Sequence, residues 1–281
     1  VVAASPAPLI AHSMVLRHKR RLLIALTLTA LLVLGAVARH LTNPAMSSDL
    51  LPNLAPEEVV EIEIQPAGGE SMRMRAAKGG WLMTHPASAE LLSDRVRELT
   101  HIADAESQAD YPESAVDPAS VGLEPAEVRL KLNGESIEFG DRAPIEGHRY
   151  VRVGRRIHLI RDRHHHSATQ LPVSLVGLGL IPRQTPPVRV TRRAEADQTA
   201  DLPVTPWSDA SAEAVRPLNP TARTSATITV EVEGQPEPLE FEWRTLEDPP
   251  LSVLVRPALG IQYHLDAERL RALLSPATGS P

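Results

Sequence analysis

The histidines in the middle of the chain are the side chains best suited to chemistry: His148, His158 and the row His164, His165 and His166 inside "RDRHHHSATQ". Imidazoles converging on one point hold zinc, and zinc with an open position activates water for hydrolysis. The spacing argues against that here. In a helix consecutive side chains point about 100° apart, so three neighbours do not meet at one ion. In a strand His164 and His166 share a face and would need a third ligand from elsewhere. A polar, solvated face is the expectation for the row.

Other chemistry is thin. The chain has no cysteine, hence no thiolate ligand or nucleophile. It contains no G-x-S-x-G elbow, no P-loop and no H-E-x-x-H. "GLGL", Gly177 to Leu180, lacks the full dinucleotide fingerprint and reads as a turn. Glu61 and Glu63 fall on the exposed face of an alternating strand. Trp81 and Trp243 are either ligand-stacking platforms or packing residues. No catalytic, cofactor-binding or metal-ligating residue is assigned, and the chain is expected not to be an enzyme.

The charge distribution bears on partners. Residues 1–50 hold Arg17, Lys19, Arg20, Arg21 and Arg39 against Asp49, a balance of +4; the whole chain is −6, so the remainder carries −10. An acidic body repels phosphate backbones, and nucleic acid is not an expected partner. The basic cluster precedes Leu22 to Ala38, 17 residues without a charge. At helical rise these span about 25 Å, the short end of a transmembrane helix. The positive flank should stay cytoplasmic and send the C-terminal bulk across the membrane. A competing reading is a cleaved signal peptide, because Ala36-Val37-Ala38 has the small-x-small form of a cleavage site. The thirteen residues ahead of Met14 read as an extension or a misplaced start.

Beyond the anchor the elements are strands. Residues 39–57 read as a tether. "VVEIEIQP" alternates through Val60, Ile62 and Ile64, Gly68-Gly69 turns, "SMRMRA" alternates through Met72 and Met74, and Gly79-Gly80 turns into Trp81. A helix is predicted over "SAELLSDRVRELTHI" with Leu92, Val96 and Leu99 on one face and Ser88 as its cap. The acidic stretch 104–125 reads as irregular. In "VRLKLNGESIEF", Asn133-Gly134 marks a type I′ hairpin that sets Leu130 against Ile137 and Val128 against Phe139. "RYVRV" and "IHLI" add a second hairpin around Gly154-Arg155. Residues 182–223, rich in proline and charge, read as a linker with one short strand and an isolated Trp207.

The order of strands followed by a helix in residues 126–171 returns at 224–275, where "DAERLRALL" is capped by Asp266. Setting Ile160 against Leu265 puts the histidine row opposite Arg269, Leu270 and Arg271, so the counterpart keeps no ligand. The expectation is an α+β protein: a cytoplasmic segment 1–21, a transmembrane helix 22–38, the tether 39–57, a first periplasmic domain 58–181, the linker 182–223 and a second, degenerate β-meander-plus-helix unit 224–275.

The succession "EIEI", a "GGW" strand, a helix with paired leucines, an acidic stretch ending "VGLEP", "VRLKLNGESIEFGD", "YVRV" and "IHLI" resembles the bacterial family called domain of unknown function 4340, over about residues 58–171. The resemblance implies a membrane-anchored, exported protein associated with ABC-type transporters and supplies no catalytic residues. The chain departs from the pattern where Pro172 and "VGLGLIP" interrupt the expected leucine-rich helix. The function expected is an accessory or scaffold subunit of an envelope complex at the bacterial inner membrane, with an envelope protein as partner. The alternative is a periplasmic glycan- or peptide-binding module using Trp81 or Trp243.

Overall fold

Alternating apolar residues separated by glycine turns build strands throughout the described residues. The computed structural model describes residues 48–144, 147–170, 172–194, 198–247 and 250–276. The expected anchor 22–38, its basic flank and residues 39–47 of the tether lie outside the described residues, and among the described residues no helix is long and apolar enough to cross a membrane. Residues 48–57 are not a free tether: Ser48 and Asp49 pair with Ser107 and Glu106, and Leu50 and Leu51 are buried in the core.

The first half runs β1 (Ser48–Asp49), β2 (Glu61–Pro66), β3 (Met72–Ala77), β4 (Gly80–His85), β5 (Ala89–Leu91), α1 (Ser93–Thr100), β6 (Glu106–Ser107), β7 (Ala109–Pro112), β8 (Val128–Leu132), β9 (Glu135–Arg142), β10 (His148–Val153), β11 (Arg156–Arg161), α2 (Arg163–Ala168) and α3 (Pro172–Leu175). The second half runs β12 (Pro187–Ala194), β13 (Thr199–Leu202), α4 (Thr205–Ser208), β14 (Ala214–Pro217), β15 (Arg223–Val232), β16 (Leu239–Glu247), β17 (Pro250–Arg256), β18 (Ile261–His264) and α5 (Ala267–Leu274). The protein is β-rich α+β. Two antiparallel sheets dominate, ordered β5-β4-β3-β2-β8-β9-β10-β11-β7 and β13-β12-β15-β16-β17-β18-β14. Without β5 and β4, the first order maps onto the second strand for strand, including the return of β7 and β14 to the far edge beside β11 and β18.

The hairpin of β8 and β9 forms in the expected register. Val128 faces Phe139, Leu130 faces Ile137 and Leu132 faces Glu135, with φ of +48° at Asn133 and +91° at Gly134. Those angles twist the turn with the strands, which is why Asn-Gly suits it. Ile62, Ile64, Met72, Met74, Val128, Leu130 and Phe139 are buried in a core that continues through Ile228, Phe241, Leu254 and Tyr263 of the second sheet.

Several expectations need correction. The helix starts at Ser93, not Ser88. Ala89–Leu91 instead pairs with the open edge of β4, Trp81 facing Leu91, which leaves Leu92 exposed. The sheet edge offers hydrogen bonds along a whole strand, and those outweigh one more helical turn. Val60 is 57 % exposed rather than sharing the buried face of Ile62. It precedes the strand, and its amide is taken by Asn133 Oδ1 at 2.8 Å. The acidic stretch 104–125 supplies β7, whose Asp110 accepts from Arg156 Nε at 2.7 Å.

The segment 182–223 is not a free linker. It provides β12, β13, α4 and β14, and Trp207 is fully buried. The Trp207 indole N–H donates to Leu273 O at 3.1 Å, and its ring lies 5.4 Å from that of Phe241. Pro187 opens β12 and Pro217 closes β14, positions where a strand tolerates a missing N–H. "GLGL" is not a simple turn either. Gly177 N donates to Glu90 O at 2.9 Å, while Leu180 N donates to Ala210 O and Ala212 N to Leu178 O. This strip ties the edge of the first sheet to the residues leading into β14.

Candidate functional site

Two turns from different halves meet and leave a cleft between them. In the first half β4 ends at His85, and Pro86, Ala87 and Ser88 carry the chain into β5. In the second, β17 ends at Arg256, and a single 3-10 turn, Pro257–Leu259, leads through Gly260 at φ +62° into β18. Pro86, Pro257 and Ala258 line both compartments of the cleft. The larger, about 680 Å³, has an apolar wall from Ile64, Met72, Val128 and Leu259, with Glu70, Glu127 and Gln170 among its polar groups. The smaller, about 510 Å³, lies between Ala87-Ser88 and the loop Gln235 to Pro238, and Arg256 lines it.

Arg256 is the unusual residue. It shares an inward face with Leu254, is 2 % exposed, and carries a charge. Its Nη2 donates to Ser88 O at 3.0 Å, and its guanidinium carbon lies 4.9 Å from the centroid of the Phe241 ring. Gln235 Nε2 donates to Ser88 Oγ at 3.0 Å and closes the same junction. Among the described residues no carboxylate pairs with Arg256; its electrostatic partner is the Tyr263 hydroxyl. Arg256 Nη1 and the Tyr263 hydroxyl are sealed from solvent beside each other, and neither has a further hydrogen-bond partner among the described residues. Burial pushes the guanidinium below its ordinary range, with Tyr263 opposing. Burial pushes the Tyr263 hydroxyl up, with the cation opposing. Removing a cation from water costs several kcal/mol. A ring face gives back about 0.5–2 kcal/mol and one charged hydrogen bond about 1.5–3 kcal/mol. The remaining cost is of the kind that an acceptor from a ligand or an ordered water offsets.

The histidines are distributed rather than gathered. His158 is buried, with Nδ1 3.0 Å from Ser107 Oγ, and burial holds it below the ordinary imidazole range. The row lies at the start of α2, directly after the last strand of its meander, but it is not simply a solvated face. His164 is half-buried, and desolvation followed by the Arg163 charge lowers it to about 4. His165 packs 6.1 Å from the Phe139 ring. Its Nε2 lies 3.0 Å from Glu127 Oε2, an ion pair when the ring is protonated. The same Glu127 oxygen takes Arg149 Nη1 at 3.1 Å. His165 is lowered by burial and by Arg149, with Glu127 opposing. Only His166 of the row is exposed. Among the described residues no three His, Cys, Asp or Glu side chains group as metal ligands.

Trp81 and Trp243 are both partly buried against the core, and each lines a separate cleft of about 580 Å³. The Trp243 indole N–H is buried without an acceptor among the described residues. Glu61 is exposed, and Glu63 pairs with Lys131 at 3.1 Å. Arg256 escaped the reading of the sequence. Its signal was a charge on the inward phase of "LSVLVR", in step with Leu254. Compared with protein-family models, with curated proteins and with solved structures, the chain finds no match.

Proposed function

We propose that this chain is a non-enzymatic accessory subunit of a bacterial envelope complex, associated with an ABC-type transporter. In this reading residues 22–38 tether it to the inner membrane, and the junction cleft holds an extended segment of a partner protein in the periplasm. The observation that carries the reading is the cleft itself: an apolar wall of strand residues and a polar floor, contributed by two halves of one core. Concave sites of this size with a few converging polar groups suit an extended chain better than a flat docking surface would. The resemblance over residues 58–171 supports the envelope setting. The matched strand order of the two sheets supports descent of both halves from one duplicated unit. A second reading, a periplasmic glycan- or peptide-binding module, draws on Trp81 and Trp243 at their own clefts.

Photo-crosslinking in intact membranes tests the first reading. A crosslinker at Ala258, on the cleft, is expected to capture one envelope membrane protein, whereas one at Val188, exposed on β12, captures none. Equal capture at both positions refutes the reading. The chain should also resist carbonate extraction and be cut by protease from the periplasmic side alone; a soluble product beginning at Arg39 would remove the tether from the proposal.

A further inference from the structure

We propose that the smaller compartment of the junction cleft is a carboxylate-binding site with the Arg256 guanidinium at its floor, the carboxylate being carried by a peptide segment. This rests on the accessory-subunit reading and specifies the chemistry of its cleft. A guanidinium presents parallel N–H groups that match the two oxygens of a carboxylate. Here one arm of the fork is already held by Ser88 O. Nη1 has only the Tyr263 hydroxyl beside it, and that hydroxyl has no further acceptor among the described residues. The Phe241 ring under the guanidinium fixes its plane. A buried guanidinium that no described carboxylate neutralises selects an anion over a neutral group.

The rim narrows the choice of anion. Glu237 and Glu240 stand exposed at the same compartment and repel a free ion that brings nothing else. Pro86, Pro236, Pro238 and Pro257 form the walls, rigid apolar surface against which a peptide backbone packs at little entropic cost. A carboxylate attached to peptide gains that contact; inorganic anions do not. The source is either a chain's C-terminus or an acidic side chain, and both present the same two oxygens.

The full chain in detergent is titrated with N-acetylglycine, which mimics a C-terminus, with N-acetylaspartate N-methylamide, which mimics an acidic side chain, and with neutral N-acetylglycinamide. At least one carboxylate is expected to raise Tm saturably, by about 2–4 °C, and the amide is expected to leave it unchanged. The carboxylate with the larger response identifies the source. Arg256→Met should fold with a Tm at or above that of the parent, because an apolar side chain of similar length replaces an unpaired buried charge, and should lose the response. Ala258→Trp, at an exposed residue of the rim, should lose it with Arg256 intact, and it decides the question if Arg256→Met does not fold. An equal response to the amide, a response retained in either variant, or no saturable response to either carboxylate overturns the proposal. Position-dependent crosslinking at Ala258 with no carboxylate response would leave the accessory reading standing and this site refuted.

Discussion

Asn133→Gly separates the two tasks of a single turn residue. Glycine keeps the left-handed backbone of the type I′ turn, where φ is +48°, so the hairpin itself should survive. What it removes is the side chain that docks the turn onto the start of β2. Asn133 Oδ1 accepts from Val60 N at 2.8 Å and Glu61 N at 3.1 Å, and Nδ2 donates to Glu58 O at 2.8 Å. Three hydrogen bonds at about 0.5–1.5 kcal/mol each give a ceiling of about 4.5 kcal/mol. All three lie at the exposed rim, where water replaces part of each, so about 2 kcal/mol is expected. Glycine's looser unfolded chain costs a further about 0.5–1 kcal/mol, and relief of the left-handed strain returns a similar amount. Asn133→Ala keeps neither role and should lose about 3 kcal/mol. Asn133→Asp keeps the two accepted bonds and should lose about 1 kcal/mol. Urea unfolding followed by tryptophan fluorescence measures all three. A loss under about 0.3 kcal/mol for Asn133→Gly, or an aspartate variant weaker than the glycine one, would refute the reasoning.

Phe139→Ala should cost about 3–5 kcal/mol in the same assay, because a fully buried ring facing Val128 and packing on His165 is removed; a loss of a few tenths would contradict the pairing. Trp207→Ala should cost about 3–5 kcal/mol and Trp207→Phe about 1–2 kcal/mol, whereas a residue in a free linker would tolerate both in urea unfolding. His164 is lowered in the folded state, so the unfolded chain binds its proton first; stability should fall as pH drops from 6.5 toward about 4, and His164→Gln should flatten that slope in melts taken across the range.

Where a decision depends on a few adjacent residues, the amino-acid sequence by itself settled it. The hairpin of β8 and β9 is of this kind: Asn133-Gly134 sets the turn, and alternation assigns Val128 and Phe139 to one face, so turn geometry and side-chain period agree without outside help. The Asp266 cap of α5, accepting from Glu268 N and Arg269 N, is local in the same sense. Other segments carry two compatible local codes, and tertiary contacts chose between them. Ala89–Leu91 satisfies a helical phase and a strand alike; the open edge of β4 made it a strand. Residues 187–217 have a linker's composition, yet β12 pairs with β15 and Trp207 fills space under Phe241. The burial that repays ordering them comes from the other strands of the second sheet, not from neighbours in the chain. His164 and His165 look solvated in sequence and are desolvated by packing. Arg256 shows the limit most plainly. Its inward phase is written in "LSVLVR", but its desolvation is not: the carbonyl that its guanidinium meets belongs to Ser88, 168 residues away, and desolvation is a property of everything that surrounds a group in space.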